Sequence, residues 1–566
     1  MPLPFQFAGL YRSGIIAAAD TRGLERRLED ALGAPLFRDA RLTLFGPEHD
    51  QWPGNPNFST SEGITTIIGE PILVEADDAI PRTQALHRFA NTLQHDIYSS
   101  LESAHGSYCG IHYNFANESL HLFTDKIGLR GLFVAQLGDI ILFASTPTPL
   151  LEIVAPYSTI DDAGLAETLA FGHPLGARTH LTACKRLLEA EVVRITPVQR
   201  TSHQYHRWTA TIDHAQGLEF AADRINQAFS TAVADRLAIC PRPSHFAFLS
   251  GGMDSRLIVN ALCATGHPPV TLNVAPAETQ DAMLGQRAAD FFGTHHFALP
   301  ATTVWLSKSI DDGVEQVRAM WHTPENTLWW SGDGGSVGLG HVYLTEKSCP
   351  SQATTARVIA QALIDHNNWR ISERALKRKS RYLCNLPIQG LIAELNRYAH
   401  LPIEKQAYAF LLFNNQRRHL DYHYRTLDQR SHDLILPFFD DRFIQTVLDT
   451  PIEHLLKHRV YNQIFAQHLP SAHNIPWQAY PGHEPCLFQN DTRGRYQWDE
   501  WASASSLRAA RRRASREAIM MLLGGKVAPQ LSTFTVALAA TATYLGIMDL
   551  RYMLKTAATL NKAVNT

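Results

Sequence analysis

Several things are scarce or missing in this chain of 566 residues. Cysteine is sparse: the seven present (Cys109, Cys184, Cys240, Cys263, Cys349, Cys384, Cys486) are odd in number and never form a CxxC pair. That excludes a disulfide framework or a zinc knuckle and fits a reducing compartment. Strong charge of one sign is missing too. A formal net charge of −3 offers no field that would draw the protein to nucleic acid or an anionic membrane as a whole. The N-terminus, Met1-Pro2-Leu3-Pro4, has neither a basic start nor an apolar run, so no secretory signal is expected. The longest uncharged stretch near the end, Val527 to Met548, is broken by Pro529, Gln530 and Ser532, and reads as a buried or surface-packed helix rather than a membrane span. A cytoplasmic protein with no integral membrane association and no nucleic-acid partner is expected.

What is present is an ordinary globular composition, 45% hydrophobic and 19% charged, in a chain too long for one core. The first half is β-rich, with strands expected at Ser119–Phe123, Leu132–Leu137 and Ile140–Ala144 between Gly, Asp and Asn turns. A connector follows from about 160 to 208, with a helix at Asp161–Phe171, a turn at Gly172 and Gly176, and a strand at Val192–Ile195. From about 215, helices (Gly217–Ala238, Arg256–Ala264, Ala282–Phe292) alternate with short apolar runs (Phe246–Leu249, Val270–Val274). That alternation predicts an α/β region built on a parallel sheet. Helices dominate beyond about 350.

The strand ending at Leu249 runs into Ser250-Gly251-Gly252-Met253-Asp254-Ser255 and then into a helix. Two glycines allow backbone N–H groups to approach an anion, two serines add hydroxyls, and the free N–H groups of the helix start face the same place. A helix terminus contributes only about 0.3–2 kcal/mol towards a charge. A metal ion is therefore expected with a polyphosphate, and Asp254 is the carboxylate placed to bind it. No Gly-Lys-Ser/Thr follows, so this is not a Walker A loop. The plain alternative is a Gly-rich turn without a ligand. Ser331-Gly332-Asp333-Gly334-Gly335-Ser336 repeats the vocabulary some eighty residues later. Alone it could be a surface loop; beside the first it reads as the second wall of a nucleotide site.

Ser250–Ser255 resembles the SGGxDS pyrophosphate loop of the asparagine synthetase family. Asp290–His296 is similar to that family's LGTxHH helix end, Ser331–Ser336 to its SGDG segment, and Leu436–Asp440 to its PFLD segment. Upstream, Asp125–Phe133 resembles the DRxGxKPLY turn and Phe143–Thr146 the FASE that follows it. The resemblance implies an N-terminal class II glutamine amidotransferase-like αββα sandwich with connector (1–208), an asparagine synthetase-type adenylating α/β domain with a parallel sheet (209–490), and a helical C-terminal extension (491–566). Carried over, Leu249 and Val274 would line the adenine pocket. Ser250, Gly251, Gly252, Met253 and Ser255 would hold the pyrophosphate of ATP, Asp254 would bind Mg²⁺, and Ser331 and Gly332 would contact the nucleotide.

Three departures narrow this. Pro2 stands where glutaminase members expose their catalytic cysteine, and no cysteine precedes Cys109. The N-terminal domain is thus expected to be glutaminase-dead. Ser336 stands where the second Mg²⁺ aspartate falls, so Asp333 is expected to share the metal and catalytic role with Asp254. After Leu469-Pro470 the chain reads His473-Asn474-Ile475-Pro476-Trp477-Gln478, without the family's lysine. That stretch, together with Ser331–His341, is similar to lasso peptide cyclases. These adenylate a side-chain carboxylate of a precursor peptide and close a macrolactam with its α-amine, which implies a precursor peptide substrate and a leader peptidase as partner. An asparagine synthetase-like ligase using ammonia or a small amine, a β-lactam synthetase-type closure, and a non-catalytic scaffold remain the alternatives.

Other conspicuous residues have plainer readings beside the functional ones. His419 and His423 have metal-compatible spacing but no apparent third ligand. His295 and His296 read as structural, Arg511-Arg512-Arg513 with Arg516 as a solvated basic face, with contact to a peptide or lipid surface as the lesser reading, and Trp329-Trp330 as either core or substrate wall.

Overall fold

The computed structural model describes residues 7–14, 18–46, 57–75, 78–239, 244–277, 279–300, 306–321, 327–340, 343–352, 354–418, 420, 424, 433–469, 475–478, 486 and 504–565. The chain divides into two compact units that interleave along the sequence. The first comprises 1–157, 186–342 and 411–496; the second comprises 158–185, 343–410 and 497–566.

The first unit begins with two antiparallel sheets. One contains Phe133–Leu137, Ile140–Ala144, Ala8–Arg12, Leu42–Phe45 and Phe37–Arg38 in spatial order. The other contains Arg200–Gln204, Glu191–Ile195, Ser119–Thr124, Tyr108–Asn114, Gly63–Gly69 and Asn57–Ser59. Alternating apolar residues put Leu42, Leu44, Val134, Ile141 and Phe143 of the first sheet against Ile68, Ile111, Leu122 and Val193 of the second in one buried core. The opposite face of the second sheet buries Ile67, Tyr108 and Phe123 beneath helices Arg82–His95 and Ile97–Ser103. Helix Pro147–Val154 packs on the outer face of the first sheet. The layers are therefore helix, sheet, sheet, helix, and the expected strands at 119–123, 140–144 and 192–195 all lie within them.

The same unit then builds a five-stranded, wholly parallel sheet in the order His296–Pro300, Val270–Ala275, Ser244–Phe248, Thr327–Trp330, Asp433–Ile435. Its central strands are apolar on both faces, as parallel strands covered by helices must be. Trp329 and Trp330 are fully buried; Trp329 stacks on Phe246 at 4.8 Å, and Trp330 donates its indole N–H to His245 Nδ1 at 3.0 Å. Core packing therefore accounts for both tryptophans. Asp433–Ile435 is a difference from the helix-dominated expectation beyond 350: a three-residue strand is too short to show a period, and sheet pairing with Leu328–Trp330 defines it.

The second unit is mainly helical. Helix Asp162–Phe171 is capped by the Asp161 carboxylate and ends on Gly172 in the left-handed region (φ 88°). Helices Ala504–Leu523, Thr533–Leu545 and Arg551–Asn565 bury Ala518, Val536, Ala540, Leu554 and Ala557 in a common core with Leu165 and Leu376. Among the described residues no helix is long and apolar enough to cross a membrane. The uncharged Val527–Met548 stretch holds only the thirteen-residue helix Thr533–Leu545.

Candidate functional site

In chain order the parallel strands occupy positions three, two, one, four, five, so the connections leave in opposite directions from the first strand (Ser244–Phe248) and the fourth (Thr327–Trp330). Ligands of open α/β sheets bind outside the carboxyl ends of the strands at such a reversal. Both glycine-rich segments lie there. Ser250–Gly252 follows the first strand and feeds helix Met253–Ala264; Ser331–Gly334 follows the fourth and feeds the short turn Gly335–Gly338.

The helix starts three residues earlier than its apolar pattern suggests, so Met253, Asp254 and Ser255 form its first turn. Its N-cap, Gly252, provides no side-chain cap. The first-turn N–H groups are thus left to an outside acceptor, as an anion site requires. A Cβ on Gly252 would meet nothing nearer than Ser250 Oγ at 3.4 Å, so the turn faces open space there.

The turn itself differs from expectation in how its donors are used. Gly251 N–H donates to Asp281 Oδ1 at 3.0 Å, Gly252 N–H to Ser250 Oγ at 3.2 Å, and Ser250 N–H to Ser255 Oγ at 2.9 Å. The two serine hydroxyls also pair at 2.9 Å. The reason is the tightness of the turn: it folds back on its own hydroxyls and on a buried carboxylate from the next helix. Asp281 is in turn held by Asn273 Nδ2 at 3.0 Å, which also donates to Leu249 O at 2.9 Å. Gly251 is needed for space, since a Cβ there would sit 2.9 Å from Gln280 O. What the turn does not use are the first-turn N–H groups of the helix, which have no side-chain cap.

The two loops touch. A Cβ on Gly332 would lie 2.6 Å from Ser255 N, and one on Gly335 would lie 2.7 Å from Asp254 Cγ. Only glycine permits that approach. It brings Ser336 Oγ within 2.9 Å of Asp254 Oδ1, to which it donates. Asp333 accepts from Ser331 Oγ at 2.7 Å. Asp254 and Asp333 are both partly exposed. Burial, with a smaller contribution from the nearby charge of Asp333, pushes the Asp254 carboxyl up to about 6 against the Ser336 and Tyr461 hydrogen bonds, which favour the ionised form. Two carboxylates whose charges repel suit a hard divalent cation, which would relieve the repulsion. Among the described residues no group of three or more Asp, Glu, His or Cys is positioned to hold a metal alone, so other ligands would have to be phosphate oxygens and water. Mg²⁺ commonly binds in that way.

Of the other expected residues, Ser331 is buried and pinned by its N–H to Ile435 O at 3.0 Å. Leu249 is buried at the sheet end, and Val274 is partly exposed one strand away. His295 packs on Trp321 at 4.5 Å, and His296 bonds Thr271 Oγ1 at 2.9 Å, so both serve packing. His419 and His423, along with Pro2 and His341, lie outside the described residues.

Four residues at the site were not singled out from the sequence: Asp281, Asn273, Arg256 and Tyr461. The guanidinium of Arg256 is wholly buried and donates to Ile475 O at 2.6 Å and Pro476 O at 3.1 Å. Gln478 N–H donates to Gly251 O at 2.9 Å, and Trp477 packs on Phe465. The Ile475–Gln478 stretch is therefore strapped onto the first loop.

No protein-family model matches the chain, and no curated protein matches it. Among solved structures it is similar to an allosteric regulatory enzyme of purine biosynthesis, at 12% identity over 52% of this chain and 74% of that one, with a TM-score of 0.22. It is also similar to the glutamine phosphoribosylpyrophosphate amidotransferase of B. subtilis complexed with ADP and GMP, at 12% identity over 58% and 76% of the two chains, again with a TM-score of 0.22. Likeness at that level decides nothing about the site.

Proposed function

We propose that this protein is an ATP-dependent, AMP-forming carbon–nitrogen ligase that adenylates a side-chain carboxylate and passes it to an amine, and that its substrate is a precursor peptide closed to a macrolactam, as in lasso peptide cyclases. The observation that carries the ligase reading is the meeting of two glycine-rich loops, each bearing one partly exposed carboxylate, at the reversal point of a parallel sheet.

On this reading the uncapped first turn at Met253–Ser255, with Ser250 and Ser255, holds the departing pyrophosphate. Asp254 and Asp333 hold Mg²⁺, which when bound neutralises charge developing on the leaving phosphates. Ser331 and Gly332 position the nucleotide from the opposite wall. The strap Ile475–Gln478 closes one side of the first loop and helps exclude water, which would otherwise hydrolyse the activated acid.

The test is ATP–pyrophosphate exchange with the purified protein and a leader-free core peptide, followed by mass spectrometry. Peptide-dependent exchange and a product lighter by one water support the cyclase. Asparagine formed from aspartate and ammonia would select the small-amine ligase instead. No ATP binding with or without Mg²⁺ would sink both.

A further inference from the structure

We propose that helices Ala504–Leu523 and Thr533–Leu545 form a docking face for an anionic phospholipid surface. The second helix buries Val536, Ala539, Ala540 and Thr543 against its neighbours. Its outward face carries Phe534, Leu538 and Leu545, which are 73%, 55% and 63% exposed. Steps of four and seven put these three on one stripe. An outward helical face normally carries charge; here no Asp, Glu, Lys or Arg occurs from Val527 to Met548. The apolar surface continues onto the end of the preceding helix, where Met520 and Leu523 are 67% and 76% exposed. A contiguous apolar face of this kind marks an interaction site.

The charge beside it selects the occupant. Arg508, Arg512 and Arg516 line one face of Ala504–Leu523 at steps of four, and none has an ion-pair partner among the described residues. Arg512 lies over the Tyr544 ring at 5.9 Å, which places the arginine row beside the carboxyl end of the apolar helix. From 504 to 565 the sequence has nine Lys and Arg against two carboxylates, Glu517 and Asp549, in a chain whose net charge is −3. A second copy of the chain would bring to this face a further nine Lys and Arg from the same segment and only two carboxylates. An anionic headgroup layer satisfies both halves, taking the arginines at the phosphates and Phe534, Leu538 and Leu545 into the acyl boundary. The helix is too short to span, so the attachment is peripheral.

The experiment is vesicle flotation with the full chain. Phosphatidylglycerol-containing vesicles are expected to carry the protein at least about tenfold more strongly than pure phosphatidylcholine, and added salt should weaken the binding. Reversing two exposed arginines (Arg508→Glu with Arg516→Glu) should abolish the preference, and Phe534→Ser with Leu538→Ser should lower partitioning about tenfold or more with the melting temperature unchanged. Equal binding to both vesicle types, or an arginine-reversed protein that floats like the parent, overturns the proposal. So does concentration-dependent self-association without vesicles that the Phe534→Ser, Leu538→Ser protein loses, since that assigns the face to a second copy.

Discussion

Asp254 sits where a helix dipole favours negative charge, yet burial and Asp333 hold its carboxyl up at about 6. In the ligand-free fold this carboxylate is therefore costly, because its folded pKa lies above its unfolded value near 3.8. The folded state binds the extra proton between the two values, so stability falls as pH rises through that window. Asp254→Asn should accordingly stabilise the ligand-free protein at neutral pH by on the order of 1–2 kcal/mol, discounted for the partial exposure of the group, while ATP–pyrophosphate exchange falls at least about a hundredfold. Thermal melting and exchange assays on one preparation check both halves. A variant that loses stability and keeps exchange would refute the metal role. Gly332→Ala tests the contact of the loops: a methyl 2.6 Å from a backbone nitrogen cannot be relieved by a side-chain swing. The loop must shift, and exchange should drop about tenfold or more with less than about 2 kcal/mol lost in stability. The sequence showed both residues because glycine and aspartate at a strand end carry a local chemical meaning. Asp281 and Asn273 stayed hidden because their role, occupying the turn's own donors, arises only when the next helix packs against it.

Between elements, two segments far apart in the chain meet through charge. Lys126 Nζ donates to Asp441 Oδ2 at 2.8 Å and His105 bonds the same carboxylate at 2.9 Å, with all three groups largely buried. The neighbouring Asp440 is fully buried and receives Arg236 at 2.9 Å and Arg442 at 2.9 Å. Lys126 belongs to the turn after strand Ser119–Thr124, and Asp440 caps helix Asp441–Leu448, so the network ties the antiparallel layers to the parallel sheet. Lys126→Met leaves a buried carboxylate short of its nearest cation and should cost about 3 kcal/mol, read as a shifted urea midpoint. Both segments were noticed for their resemblance to family motifs, but that they bond to each other was not legible, since no local pattern encodes a contact across some three hundred residues. The strap shows the same limit: Ile475–Gln478 stood out by its residues, and its attachment to Arg256 emerged only from packing.

For the whole molecule, buried titratable groups set opposing pH responses in the two units. In the first unit burial raises Asp125 and Asp254 to about 6 and lifts Asp281, while it lowers His112, His121, His245 and His296 to about 4. The carboxylates make the fold lose stability as pH rises above about 4. The histidines, neutral when folded and protonated when unfolded, make it gain stability as pH rises to their unfolded value of 6.5. These trends oppose each other over the same window. In the second unit Glu167 is fully buried and raised to about 7, chiefly by desolvation, against the Leu175 N–H and the Arg178 guanidinium. That unit should lose on the order of 2 kcal/mol as pH rises from 4.5 to about 7. Hydrogen exchange at pH 5 and pH 7, corrected for intrinsic rates, should show protection of Asp162–Phe171 and Leu386–Arg397 falling at the higher pH, with strand Ser244–Phe248 changing little. Glu167→Gln should remove the difference, because an amide there has no proton to lose. If the two helices kept equal protection at both pH values, Glu167 would have to be ionised throughout, and the opposing balance in the first unit would then have nothing to be contrasted with.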